Sequence, residues 1–164
     1  MADHYNALFL CTGNSARSIM AEALLNQKGK ERFTAYSAGS NPTGTPRPEA
    51  LAELQSAGID TTGLRSKSWD EFSGPDAPHF DFIFTVCDNA AAEVCPLWPG
   101  HPTTAHWGIA DPAAVKGTPE EVARAFHEAF TLLDRRINLL LALPLSELDQ
   151  LAREQELSAI GRRA

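Results

Sequence analysis

The residues with the most chemical potential stand together near the start of the chain: Cys11-Thr12-Gly13-Asn14-Ser15-Ala16-Arg17-Ser18. They follow a short apolar run, residues 7–10, and precede a stretch with apolar residues at helical spacing. A loop feeding a helix N-terminus directs backbone N–H groups at one point, and the helix dipole favours negative charge there. Gly13 is expected to supply a backbone conformation that a Cβ would disfavour, and Asn14 belongs to the residue types that tolerate left-handed geometry. Arg17 follows Cys11 by six positions, and its planar fork suits two oxygens of a tetrahedral oxyanion. Ser18 can donate its hydroxyl to the Cys11 sulfur. Such surroundings lower a thiol pKa and leave a thiolate facing a bound anion. The expected oxyanion cradle is therefore Thr12, Gly13, Asn14, Ser15, Ala16 and Arg17, with Cys11 as nucleophile.

Two further thiols, Cys87 and Cys95, and the pair Asp111-Pro112 complete the reactive inventory. On their own they have plainer readings. A cysteine beside a strand is commonly a small core residue, and Asp-Pro commonly opens a turn. Cys87, Cys95, His101 and His106 could also hold zinc, although the close cysteine pair of most zinc sites is missing.

These residues need a frame, and the hydrophobic pattern supplies one. Strand-like runs at 7–10, 33–37, 82–86 and, more weakly, 101–107 alternate with helix-like stretches, which is the signature of an α/β fold with a parallel sheet. The spacing predicts helices over 15–28 and 49–57, with Gly29 and Gly58 as terminators. The strongest helix signal opens at Thr118-Pro119-Glu120-Glu121, an N-cap, a proline at the first helical position and a capping-box glutamate. Val122, Phe126, Phe130, Leu133, Ile137 and Leu140 then recur at spacings of three and four, and Pro144 ends the run. Ser146-Glu147-Leu148-Asp149 opens a final short helix expected to lie on the surface. His4, His79 and His127 read as surface or packing histidines, and Trp69, Trp98 and Trp107 as core or loop anchors.

Composition narrows the function classes. The chain has 164 residues, 43% apolar and 21% charged, enough for one domain spanning 1–164 with a sizeable core. A net charge of −7 argues against nucleic acid as a partner. Three cysteines make no secreted disulfide framework. The N-terminus has neither the basic region nor the long apolar stretch of a signal peptide, and no apolar run approaches the length of a membrane span. A cytoplasmic, thiol-reducing location without membrane attachment follows as the expectation.

The segment 8–22, with FLCTGNSARSIMAE at its heart, resembles the phosphate-binding loop of the low-molecular-weight protein tyrosine phosphatase fold. More closely, it is similar to the arsenate reductases built on that fold. Ser37-Ala38-Gly39, Cys87 with Cys95-Pro96, and His106-Trp107-Gly108 followed by Asp111-Pro112 match the same pattern, so the likeness runs from about residue 6 to 143. It implies a three-layer α/β fold, a four-stranded parallel sheet flanked by helices. It also implies arsenate as substrate, and Asp111 as the acid that protonates the departing oxygen.

Reduction of arsenate takes two electrons, so a second thiol must attack the first. The resemblance assigns that step to Cys87 and its resolution to Cys95. If 88–94 is helical, those two cysteines start about 12 Å apart, against the roughly 5.5–6 Å between Cα atoms that a disulfide needs. The segment should then partly unwind on oxidation. The seven residues between Cys87 and Cys95 are one more than in the thioredoxin-coupled reductases. Thioredoxin, glutathione with glutaredoxin, or a mycothiol-type system all remain open as the external thiol reductant. Some of those reductases hold potassium. Asn14, Glu22 and Ser37 match its ligands, but Ser66-Lys67-Ser68 replaces the expected acid, and Lys67 could put its ammonium where the ion would sit. Ala113 and Ala114 follow Asp111-Pro112 where tyrosine phosphatases carry aromatics, so weak phosphatase activity is the expectation beside reduction. A phosphatase proper and a non-catalytic oxyanion-binding module are the alternatives. A monomer or weak dimer is expected.

Overall fold

The computed structural model describes residues 4–72, 74–86 and 102–163. Cys87, Cys95, Trp98 and His101, and the segment 88–94 expected to unwind on oxidation if helical, lie outside the described residues.

Four parallel strands form one sheet in the order β2-β1-β3-β4: β1 Tyr5–Leu10, β2 Phe33–Ala38, β3 Phe82–Thr85 and β4 Thr103–His106. Side chains alternate across a strand, and both faces of β1 are covered, as parallel sheets require. Tyr5, Ala7 and Phe9 join one apolar cluster, while Leu8 and Leu10 join another on the opposite face. Phe9, Phe84 and Trp107 stack in the larger cluster, with ring centroids 4.2 Å apart for Phe84 and Trp107. The first strand starts two residues earlier than its apolar run, because Tyr5 donates to Arg32 O (2.7 Å) and pairs with Phe33.

The helices gather on the larger cluster: α1 Arg17–Lys28, α2 Pro48–Ser56, α3 Pro119–Leu141 and α4 Gln150–Arg163. A 3-10 turn, Trp69–Phe72, and the chain around Phe80 close the opposite face. The sheet is thus the middle of three layers. The capping box of Thr118 and Glu121 forms as its sequence predicts, with Pro119 at the first turn. Among the described residues no helix is long and apolar enough to cross a membrane.

Two boundaries differ from the hydrophobic pattern in ways that matter. Helix α1 begins at Arg17 rather than Ser15, because Ala16 (φ −137°, ψ −76°) lies outside helical geometry and Ser15 O is taken by Arg47 N at 2.7 Å. Those two residues belong to the loop. The tail is also no surface appendage. After a 3-10 turn, Leu145–Glu147, the 14-residue α4 packs on β4 and buries Leu157 and Ile160. Its low apolar content hid this, since two buried side chains and the close approach of Gly161 to His106 O do the packing.

Candidate active site

Cys11 follows β1 directly, at the carboxyl end of a central strand, where the chain order reverses between β2 and β3. That crevice is where open parallel sheets place their ligands. Cys11 is buried and its N–H reaches Ala38 O at 3.2 Å.

The loop carbonyls show how the loop is shaped. Thr12 O accepts from Asn41 N (2.9 Å), Gly13 O from Thr43 N (3.0 Å) and from the Ser66 hydroxyl (3.1 Å), and Ser15 O from Arg47 N (2.7 Å). Every described peptide bond is trans. In a trans peptide the N–H of the next residue points opposite to the carbonyl. The N–H groups of Gly13, Asn14 and Ala16 therefore turn away from the 39–47 segment. Helix α1 has no side-chain cap, so its first N–H groups join the same array.

Asn14 is the residue in left-handed geometry, with φ 44°. It is fully buried; its amide donates to Ser18 Oγ (2.8 Å) and its carbonyl accepts from Lys67 N (2.9 Å). Gly13 does not need its freedom as expected: its φ is not positive, and a Cβ there would meet Thr43 at an ordinary 3.4 Å. The glycine that the loop requires is Gly39. A Cβ on it would run into Thr12 O, and would lie 2.7 Å from Cys11 O.

Arg17 spans from this loop to the chain after β4. Its Nη1 donates to Ile109 O at 2.8 Å, and its Nη2 lies 3.7 Å from an Asp111 carboxylate oxygen. The other Asp111 oxygen accepts from Ala113 N (2.9 Å) and so caps the 3-10 turn Pro112–Ala114. Asp111 thus opens a turn, as Asp-Pro commonly does, and stands beside Arg17. Val86 N donates to Leu10 O at 2.9 Å, so the residues preceding Cys87 and Cys11 are bonded across neighbouring strands.

The family model described as low molecular weight phosphotyrosine protein phosphatase matches residues 6–156. The chain belongs to this phosphatase family. Its relatives include an arsenate reductase of Bacillus licheniformis, 38% identical over 130 residues, which cover 79% of this chain and 89% of that protein. An arsenate reductase of Bacillus subtilis is 39% identical over 113 residues, covering 69% and 78% of the two chains. Among solved structures, an arsenate reductase from Archaeoglobus fulgidus aligns with TM-score 0.59 at 28% identity, covering 80% of this chain and 98% of that one. A low molecular weight protein tyrosine phosphatase from T. tengcongensis aligns with TM-score 0.67 at 23% identity, covering 84% and 97%, a likeness of fold.

Within this family fold the potassium-like residues are arranged around a lysine. Ser37 donates its hydroxyl to Glu22 at 2.5 Å, and Lys67 Nζ lies 3.6 Å from the same Glu22 oxygen, 3.5 Å from Ser37 Oγ and 2.9 Å from Arg65 O. The Asn14 carbonyl is occupied by Lys67 N. An ammonium already stands among these oxygens, so the set does not fit a potassium ion beside it. Burial pushes the Glu22 carboxyl up and the Lys67 ammonium down, and their mutual attraction opposes both shifts.

Three contributors were not singled out as site residues in the sequence. Ser66 and Arg47 shape the loop through its carbonyls; the signal for Arg47 was the long Gly/Pro-rich turn from 39 to 48 after β2, which must lie beside the end of β1 in a parallel sheet. The third, Arg136, comes from α3, far away in sequence.

Proposed function

We propose that the protein reduces arsenate to arsenite in the cytoplasm, with Cys11 as nucleophile. The anion is held by the N–H groups of the 12–16 loop and by the Arg17 fork. The Cys11 thiolate attacks arsenic, and the departing oxygen leaves as water after taking a proton from Asp111. Cys87 then attacks the Cys11 sulfur. A Cys11–Cys87 disulfide forms, the sulfur–arsenic bond breaks, and its electron pair stays on arsenic, which leaves as arsenite. Two electrons move from two thiols to one arsenic. Cys95, or an external thiol delivered by thioredoxin or by glutathione with glutaredoxin, clears the disulfide.

The observation that carries this reading is the Val86–Leu10 hydrogen bond. Consecutive Cα atoms are only about 3.8 Å apart, so strand ends bonded one residue before each cysteine favour their meeting. The arsenate reductases at 38 and 39% identity support the substrate. Ala113 and Ala114, in the turn capped by Asp111, offer no aromatic wall for a phenol, which favours phosphatase chemistry only as a side reaction. The Lys67 ammonium supports potassium-independent turnover.

A single turnover tests the proposal. Reduced, desalted protein given arsenate without external reductant should release about one arsenite per chain and lose two thiols. Cys11→Ser should release none. Arsenite only after glutathione and glutaredoxin are added would move the second thiol outside the chain. No arsenite under either condition, with aryl phosphate hydrolysed, would make the protein a phosphatase.

A further inference from the structure

The carbonyls between β4 and Asp111 are held by two arginines from different helices. Arg17 takes Ile109 O. Arg136, on α3, is 3% exposed; its Nη1 donates to Trp107 O at 2.7 Å and to Gly108 O at 3.2 Å, and its Nη2 donates to Gly161 O of α4 at 3.1 Å. Among the described residues no carboxylate pairs with it, and burial lowers its pKa. A buried guanidinium without a counter-charge is costly, and here it joins two carbonyls of the chain leading to Asp111 to one of α4.

The two arginines are not equivalent. Arg17 faces the anion cradle, so a bound oxyanion competes with Ile109 O for its fork. Arg136 donates to the start of the loop and to α4, and among the described residues none of its hydrogen bonds goes to the cradle. A bound oxyanion would therefore not compete for its fork. Trp107 extends that grip: it is fully buried, its N–H bonds to Thr85 O (2.7 Å), and its indole donates to Leu157 O (2.9 Å).

We propose that Arg136 is a positioning residue for Asp111: by holding the Trp107 and Gly108 carbonyls against α4, it fixes the acid loop whether or not Arg17 is engaged by the anion. This rests on the reading of Asp111 as the acid. Misplacement of a reacting group by about 1 Å can lower a rate about a hundredfold.

The experiment is a double-mutant cycle, measured as arsenate turnover with the thiol donor that sustains the wild type. Arg136→Met should lower kcat about ten- to a hundredfold with KM changed less than about threefold, and Arg136→Lys should recover part of it, since an ammonium still reaches carbonyls. In an Asp111→Asn background, Arg136→Met should lower kcat no further, because the loop then has no acid to aim. Leu140→Ala, a buried site one turn along α3, controls for lost stability: it should lower Tm and leave kcat near wild type at 25 °C. Full multiplication of the two losses, or a kcat loss for Leu140→Ala equal to that for Arg136→Met, overturns the proposal. If Asp111→Asn alone leaves kcat unchanged, it is the acid assignment that fails. Should Arg136→Met not fold, Gly161→Ala takes its place in the cycle, since a Cβ there meets His106 O and, at 2.9 Å, Trp107.

Discussion

Two side chains far apart in sequence decide the electrostatics beneath the cradle. Glu22 and Lys67 are both largely buried, 15% and 7% exposed at the side chain. A carboxyl raised on folding supports the folded state below its ordinary range, and that support is lost as pH rises through the folded value. A lysine lowered on folding supports it above its ordinary range, and loses that support as pH falls. At neutral pH both burials therefore oppose the charged pair, and the pair's attraction offsets them. Removing one partner leaves the other charge uncompensated, which typically costs about 3–5 kcal/mol. Lys67→Ala should destabilise the protein by about that much in urea at about pH 8, and by less at about pH 5, where Glu22 takes up a proton. Turnover should fall, and potassium salt should restore some of it where sodium does not. Equal loss at both pH values, with no response to potassium, would separate Lys67 from the charge balance. Arg17→Lys keeps the charge but loses the fork. It should lower kcat/KM about 100- to 1,000-fold, the usual effect of deleting an oxyanion donor, as read in steady-state arsenate turnover.

The elements act by bringing backbone to the anion. The strand-to-helix junction at 11–17 has its carbonyls tied outward to the 39–47 segment and to Ser66, and this leaves the N–H groups on the inner side. Gly39 makes the close approach possible. Gly39→Ala forces a methyl into the Cys11 and Thr12 carbonyls, which are backbone and cannot step aside without moving the loop. Inorganic phosphate, tested as a competitive inhibitor, should bind at least about tenfold more weakly to this variant than to wild type. Unchanged inhibition would mean the loop tolerates the displacement. Gly13→Ala, with an ordinary contact to Thr43 at 3.4 Å and no positive φ, should change it far less.

The molecule as a whole is a sheet whose outer strand, β4, is finished by the tail. Leu157 is fully buried and Ile160 nearly so, and Arg153 stacks over Tyr5 and Phe82 at 5.3 and 5.7 Å. Leu157→Ala should cost about 2–5 kcal/mol and lower Tm by about 2–4 °C for each kcal/mol, as read by thermal unfolding. A negligible shift would make α4 the surface helix that its composition suggests. The net charge of −7 repels anions at long range, so capture depends on the local array of N–H groups and Arg17.

The sequence by itself determined the elements and the reactive loop. Short strand-like runs marked β1, β2 and β3, the Thr118–Glu121 box marked the start of α3, and Cys11 to Ser18 stood at a strand-to-helix junction. These are local matters: periodicity, caps and spacing act within a few residues. Only the tertiary structure decided what came from elsewhere to complete the site. Ser66 and Arg47 hold the loop carbonyls, and Arg136 grips the chain leading to Asp111, whereas the place of Lys67 beside Glu22 and Ser37 was already an expectation of the resemblance. The partners of Arg136 and Ser66 are main-chain carbonyls 25 to 53 positions away. A carbonyl is the same for every residue type, so no pattern of side chains marks it. The same reason hid α4, whose packing rests on two apolar residues and one glycine against a strand end 50 to 55 positions upstream.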